Sequence, residues 1–149
     1  AEVHVITSSP NKEEAALKYG ADGVIISTDN VAVESARRKF DLIIDTIPGE
    51  HDLGIYLDMI NVDGTMVQVG PIATDLTFNA LLQRRTSIAG SGIGSVSETK
   101  EMLKFSAEHG IVPDIEVIDI SKINEAWDSM VAKQMSHRYV IDIEKSFKS

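Results

Sequence analysis

Short runs of β-branched residues alternate with segments of helical character along most of this 149-residue chain. A strand, a helix and a second strand form a βαβ unit, in which the helix returns the chain so that both strands run parallel. The alternation therefore predicts an α/β fold with an open, doubly wound parallel sheet. The strands are predicted at Val3–Thr7, Gly23–Ser27, Phe40–Thr46, Thr65–Gly70 and Thr86–Ser91. The helices are predicted at Asn11–Tyr19, Asn30–Lys39, Leu53–Ile60, Phe78–Arg84 and Glu98–His109.

Single residues refine the boundaries of these elements. Ser9 followed by Pro10 predicts the N-cap and first position of one helix, and Ser97 predicts the N-cap of the last. Asn61–Gly64 ("NVDG") predicts a turn. The apolar centre of Phe40–Thr46 predicts a strand that is covered on both faces.

The glycine pattern indicates that one strand is missing. A dinucleotide-binding sheet normally opens with a strand, a G-x-G-x-x-G turn and a helix whose N-terminus holds a pyrophosphate. No predicted strand here is followed by that motif, and the nearest glycine cluster is Gly90–Gly94, far downstream. The chain thus starts on what would be the second strand of such a sheet, whose first strand would lie in the middle. We expect a fragment of a longer protein.

Composition excludes several classes of protein. The formal net charge of −9 argues against nucleic-acid binding, which needs a basic surface. No apolar run is long enough to span a bilayer and no signal peptide is evident, so a cytoplasmic location without membrane partners is expected. With no cysteine in the chain and no metal-ligand spacing among its histidines, no metal site is expected here.

The last part of the chain breaks the alternation. After Pro113 come an acidic and apolar run, a helix predicted at Ile123–Lys133, and the strand-like run "RYVIDI". We therefore predict a partial dinucleotide-binding domain over 1–112 and a segment over 113–149 that packs elsewhere.

Several motifs together resemble a known family. They are "VITSSPNKEEAALKYGAD", "FDLIIDTIPGEHDL", "DGTMVQVG", "IAGSGIGSVSETKEMLKF", "HGIVPDIEVI", "INEAW" and "HRYVID". In this order they resemble the C-terminal, cofactor-binding part of medium-chain zinc-dependent alcohol dehydrogenases, in the cinnamyl alcohol dehydrogenase branch. The resemblance implies a Rossmann-type sheet and zinc-assisted hydride transfer between NADP and an alcohol or aldehyde. It also implies that the zinc ligands lie upstream and that residues 113–149 return to the catalytic domain.

The stretch after the first predicted strand bears on the choice of cofactor. NAD-selective sheets end their second strand in an acidic residue, whereas this strand ends in Thr7, Ser8 and Ser9, with Lys12 one helical turn along. Hydroxyl groups and an ammonium group suit an added 2′-phosphate, and this resembles the NADP selection of the cinnamyl branch. The alternative is that Ser9 only caps the helix and that Lys12 is solvated.

Two further strand ends should line the cofactor cleft, because ligands of open α/β sheets lie at the carboxyl ends of the strands. Thr46 and Ile47 end one strand, and Val69, Gly70 and Pro71 end the next. By resemblance Thr46 approaches the adenosine half of the cofactor, and the second group borders the nicotinamide. Routine strand termination is the alternative.

By resemblance Ser91, Gly92 and Ile93 contact the carboxamide edge of the cofactor, and Arg138 reaches its diphosphate. A turn that needs glycine dihedral angles is the alternative for the first group, and a surface salt bridge for Arg138. Thr86–Ser91 resembles the edge strand through which the family's dimers extend their sheet, so a homodimer is expected.

Two other functions remain open from the sequence. One is a non-catalytic nucleotide-sensing module, and the other is a zinc-free quinone-type reductase of the same superfamily. Residues that select the alcohol or aldehyde would lie mostly upstream, so the substrate stays undefined.

Overall fold

A computed structural model describes residues 1–72, 79–132 and 138–147. The chain divides into two compact units, Ala1–Ile93 and Gly94–Ser149. The predicted division after residue 112 concerns the relation of the tail to a further domain, and it stays a prediction.

The first unit alternates strands and helices as predicted. Its strands are β1 (His4–Thr7), β2 (Gly23–Ile26), β3 (Phe40–Asp45), β4 (Ile60–Gln68) and β5 (Ser87–Gly90). Its helices are α1 (Glu13–Lys18), α2 (Asn30–Ser35), α3 (Leu53–Met59) and α4 (Asn79–Arg84). All strand pairs are parallel, with β1 beside β2 in one sheet and the order β3-β4-β5 in another. Phe78, the predicted start of α4, lies outside the described residues.

A slot separates β1 from β3, which belong to different sheets. Two cavities of about 130 and 510 Å³ lie between these strands and extend from Ala1 and Lys39 to Thr46 and Ile47. The rings of His4 and Phe40 meet edge-on, 5.5 Å apart, within this space. The first unit therefore has the order β2-β1-slot-β3-β4-β5, which is the Rossmann order with its first strand removed. This confirms the predicted fold class.

Only one face of β3 is covered within the described chain. Ile43 is buried, whereas Leu42 and Ile44 on the opposite face are 54% and 59% exposed. The expectation that both faces would be covered is therefore wrong for this part of the molecule, because the exposed face lies beside the slot rather than against a helix.

The core of the first unit lies between α3 and the three-stranded sheet. Leu53 and Leu57, one helical turn apart, bury the same face of α3. Met59, Ile60 and Met66 are almost wholly inaccessible to solvent. Burial of each such side chain contributes about 2 kcal/mol, so this packing fixes the start of α3 and hence the loop that precedes it.

Two details of the sequence prediction are corrected. The sequence "NVDG" forms a bulge within β4, in which Asp63 adopts a φ of 63°, because Phe40 pairs with Ile60 and Leu42 pairs with Thr65. In the second unit the helix α5 (Val96–Glu108) is capped by Ser95 rather than Ser97. Ser95 forms a reciprocal capping box with Glu98, which a serine two residues further on cannot form.

The second unit also contains β6 (Ile115–Ile118), α6 (Ile123–Val131), β7 (Arg138–Ile141) and α7 (Ile143–Ser146). β6 and β7 form a parallel pair in register from Ile115 with Arg138 to Ile118 with Ile141. Among the residues that the structure describes, no helix is long and apolar enough to cross a membrane.

Candidate functional site

Two loops pack together at the carboxyl ends of β3 and β4. We call the segments 46–52 and 69–72 the double loop. The N–H groups of Val69 and Gly70 donate to the carbonyl oxygen of Asp45, at 2.9 and 3.2 Å. The N–H of Gly49 donates to the carbonyl oxygen of Pro71 at 3.1 Å. The structure thus brings two of the predicted strand ends into one hydrogen-bonded assembly.

Gly70 is required by the close approach of the two segments. A Cβ atom at this position would lie 2.5 Å from the carbonyl oxygen of Ile47 and 3.0 Å from the carbonyl carbon of Thr46. Both neighbours are backbone atoms, which can move only if the loop moves. The missing side chain of Gly70 therefore makes the double loop possible.

A buried acid and a histidine lie beneath the double loop. The side chain of Asp45 is 3% exposed and that of His51 is 13% exposed. Asp45 Oδ1 accepts from the N–H of Ile47 at 2.9 Å, and Asp45 Oδ2 lies 2.7 Å from His51 Nε2. His51 Nδ1 lies 2.8 Å from the carbonyl oxygen of Gly49. Both ring nitrogens therefore face oxygen atoms that can only accept hydrogen bonds.

This arrangement favours the imidazolium form. Partial burial lowers the pKa of His51. The hydrogen bonds to the Gly49 carbonyl and the Asp45 carboxylate, together with the charges of Asp45 and Asp52, raise this pKa by more than burial lowers it. The net result is a pKa above the usual value of about 6.5.

The loop after β5 continues the same edge of the sheet. The N–H of Ser91 donates to the carbonyl oxygen of Gln68 at 3.0 Å. Gln68 Nε2 donates to the carbonyl oxygen of Gly70 at 3.0 Å, while its Oε1 is buried without a hydrogen-bond partner among the described residues. Gly92 has open space where a side chain would stand, and Ile93 is fully exposed. This edge therefore offers small and accessible groups beside an unsatisfied acceptor.

Accessible apolar side chains lie at the same edge. Ile47 and Val69 are 41% and 42% exposed, and Thr46 is exposed beside them. Thr46 and Ile47 also line the smaller cavity of the slot, together with Ile6 and Tyr56. A flat organic group can thus contact apolar surface here without displacing core residues.

The loop after β1 has a different character. The N–H of Ser9 donates to Thr7 Oγ1 at 3.2 Å, and Ser8 is exposed. Ser9 is the N-cap residue and Pro10 the first helical position, as predicted, but the hydroxyl group of Ser9 makes no capping hydrogen bond. The reason is that Pro10–Lys12 forms a 3₁₀ turn and α1 starts only at Glu13.

Lys12 makes no ion pair with any residue in the described ranges. The loop therefore presents hydroxyl groups and an ammonium group, with no carboxylate at the strand end. That donor set fits a phosphate group.

Arg138 starts β7 in the second unit, where it is exposed and pairs in register with Ile115. Its predicted contact with the diphosphate stays a prediction, as do the cofactor contacts of the other candidate residues.

The described residues do not fit a zinc ion. They contain no group of His, Asp or Glu side chains that could hold a metal, and the chain has no cysteine. His137 lies outside the described ranges.

Sequence reasoning missed the role of Asp45 and His51. Neither residue is among the predicted site residues. The segment "DTIPGEHD" carries the clue, since an acid that ends a strand and a histidine before the next helix cap can meet across a short loop. Gln68 had no distinguishing feature in the sequence.

Parallel strands whose carboxyl ends carry close-packed glycine loops and hydroxyl groups define a dinucleotide-binding α/β domain. Comparison with known proteins agrees. The family model described as zinc-binding dehydrogenase matches residues 1–108. The chain therefore belongs to the zinc-binding dehydrogenase family, and the resemblance found in the sequence is confirmed.

Individual relatives share the same region. An NADP-dependent alcohol dehydrogenase C of Mycobacterium bovis is 42% identical over 147 residues, which cover 96% of this chain and 42% of that protein. A cinnamyl alcohol dehydrogenase structure from Sorghum bicolor has a TM-score of 0.87 at 36% identity and covers 99% of this chain and 42% of its own. The structure of CAD from Helicobacter pylori, complexed with NADP(H), has a TM-score of 0.81 at 31% identity and covers 99% of this chain and 42% of its own. The chain thus spans less than half the length of these relatives.

Proposed function

We propose that this chain is the cofactor-binding part of an NADP-dependent alcohol dehydrogenase that also reduces aldehydes. The observation that carries the proposal is the loop after β1. It ends the strand in hydroxyl groups and leaves the Ser9 hydroxyl unused by the helix and Lys12 without an ion pair in the described chain. The relatives named for NADP support the same choice.

In this proposal Thr7, Ser8, Ser9 and Lys12 hold the 2′-phosphate of the cofactor. A carboxylate at the end of β1 would repel that phosphate, and its absence removes the main determinant for NAD. The ammonium group of Lys12 supplies the charge, and the hydroxyl groups supply directed hydrogen bonds.

The double loop then positions the rest of the cofactor. Thr46 borders the adenosine half, Ile47 lines the cleft beside it, and Val69, Gly70 and Pro71 border the nicotinamide. Ser91, Gly92 and Ile93 face the carboxamide edge. NADPH, when bound, supplies the hydride, and the residues of this chain hold and orient it.

Other parts of the proposed enzyme lie outside this chain. A strand with its Gly-rich turn would fill the slot between β1 and β3, and Arg138 would add a contact to the diphosphate. The zinc ligands would come from the catalytic domain, to which residues 113–149 would return. We also propose a homodimer through the free edge of β5, and a cytoplasmic location.

The test is an assay of the intact protein with NADPH or NADH and a panel of aliphatic and aromatic aldehydes. We expect turnover with NADPH and at least tenfold lower kcat/KM with NADH. Equal use of both cofactors would contradict the phosphate site, and nucleotide binding without turnover would favour the sensing module. Turnover limited to quinones and insensitive to chelators would favour the zinc-free reductase.

A further inference from the structure

His51 contacts the two residues to which the second segment of the double loop is hydrogen-bonded. Its Nε2 lies 2.7 Å from Asp45 Oδ2, at the end of β3, and its Nδ1 lies 2.8 Å from the carbonyl oxygen of Gly49. The same two residues bind the second segment, since Asp45 O accepts from Gly70 and Gly49 N–H donates to Pro71 O. Through Asp45 and Gly49, the imidazole ring therefore supports the backbone hydrogen bonds between the two segments.

The ring can make both hydrogen bonds only when it carries two protons. A neutral imidazole has one N–H donor and one acceptor, so one of its nitrogens would face an oxygen lone pair at hydrogen-bond distance. Deprotonation therefore breaks one of the two contacts. The loss falls either on the strand end at Asp45 or on the loop at Gly49.

The described groups around His51 favour the protonated form of its imidazole ring. Asp45 contributes from β3, and Asp52 contributes from the N-cap of α3. Tyr56 of α3 meets the imidazole edge-on at 5.7 Å. Glu50, its neighbour in sequence, is exposed. The acidic neighbours thus raise the proton affinity of the ring, and none of these groups is cationic.

We propose that protonated His51 is a positioning residue, which holds the double loop in the conformation that binds the nicotinamide cofactor and makes cofactor affinity depend on pH. This inference rests on the proposed function, because the double loop matters for binding only if the cofactor lies against it. His51 acts through Asp45, Gly49 and the backbone of the loop.

The direction of the pH effect follows from the contacts. The bridging hydrogen bonds are complete below the usual pKa of histidine and are lost as the pH rises through the raised pKa of His51. Cofactor affinity should therefore fall as the pH rises from about 6 to about 9. By reciprocity, bound cofactor should raise the pKa of His51 further.

The experiment uses the intact protein with ¹³Cε1-labelled histidine. NADPH affinity is measured by fluorescence between pH 6 and 9 for the wild type, for His51→Gln and for the control His109→Gln. Gln at position 51 keeps a donor but has no titration, and His109 is exposed at the end of α5. NMR titration with and without NADPH follows the His51 resonance, which is identified by its absence in His51→Gln.

We expect the wild type and His109→Gln to lose affinity about fivefold more across this pH range than His51→Gln does, which corresponds to the loss of one hydrogen bond. We also expect NADPH to raise the pKa of His51. If both the wild type and His51→Gln bind NADPH and their affinities change equally with pH, this inference would be overturned and the proposed function would stand. A wild type that binds no NADPH at any pH would overturn both.

Discussion

The loop after β1 and the double loop lie at strand ends of the same unit, yet they are built in opposite ways. The double loop is tied by backbone hydrogen bonds, a buried carboxylate and a glycine that no other residue can replace without moving the backbone. In the loop after β1, Ser8 is exposed, and Ser9 and Lys12 keep polar groups without described protein partners. We infer that one region provides a fixed surface and that the other provides unsatisfied polar groups for a charged ligand.

The largest effect should follow from filling the space at Gly70. Gly70→Ala places a Cβ atom 2.5 Å from the carbonyl oxygen of Ile47, so the two segments must separate. We expect a loss of about 3 kcal/mol in the free energy of unfolding, measured by denaturant titration, together with loss of NADPH binding.

Gly90→Ala is the matched control, because Gly90 has open space around it and is not a proposed cofactor contact. If both variants were equally stable and bound NADPH equally well, the double loop would not be the rigid surface described here.

Ser8→Asp should have the next largest effect, on specificity alone. A carboxylate at the end of β1 repels the 2′-phosphate, so the ratio of kcat/KM for NADPH over NADH should fall about 100-fold. Ser8→Thr keeps the hydroxyl group and should keep the ratio. Thermal unfolding should be unchanged in both, because Ser8 is exposed. An unaltered ratio in Ser8→Asp would place the 2′-phosphate elsewhere.

A smaller effect on stability is expected from the arginine that supports the end of α3. The Arg84 side chain is 12% exposed and donates to the carbonyl oxygens of Leu57 and Asp58, at 3.1 Å each. Arg84→Ala removes these charge-assisted hydrogen bonds and the 3.0 Å ion pair with Asp58, and it should cost about 2 kcal/mol in the free energy of unfolding.

Arg85 provides the comparison for Arg84. It pairs with Asp63 and its side chain is 74% exposed, so Arg85→Ala should leave the melting temperature unchanged. Equal melting temperatures for the two variants would show that the contacts of Arg84 do not stabilise α3.

The smallest effect is expected from Lys12. Lys12→Gln removes one charge near the proposed phosphate and should weaken NADPH binding about tenfold while leaving NADH binding unchanged. Lys18→Gln, near the other end of α1, should change neither affinity. A similar loss for NADPH and NADH would mean that Lys12 does not contact the 2′-phosphate.

Much of the fold could be predicted because its determinants are local. The runs of apolar residues located every strand of the first unit to within two residues at either end, apart from β4. Gly110 follows the end of α5 and adopts a φ of 64°. A predicted helix boundary was wrong where two nearby serines could each cap the helix. Ser95 rather than Ser97 caps α5 because only Ser95 has an acidic partner at the third helical position.

The sequence predicted which residues lie at the candidate site, but not the contacts that hold those residues together. Thr46, Ile47, Val69 and Gly70 were assigned to the cleft because they end parallel strands. The contacts that hold them together join Asp45 with His51 and Asp45 with Gly70. Neither pair has the spacing of a helix or a strand, so no local sequence pattern predicts these contacts.

The alternation of strands and helices, the lack of a Gly-rich turn, and the hydroxyl groups and lysine after β1 follow from the amino-acid sequence alone. These features depend on which residues are present and on their spacing along the chain. Three further features could be seen only in the folded chain: the slot between β1 and β3, the requirement for Gly70 beside the backbone of Ile47, and the bridge from His51 to Asp45 and Gly49. The physical reason is that these features depend on distances between segments that only the packed sheet brings together.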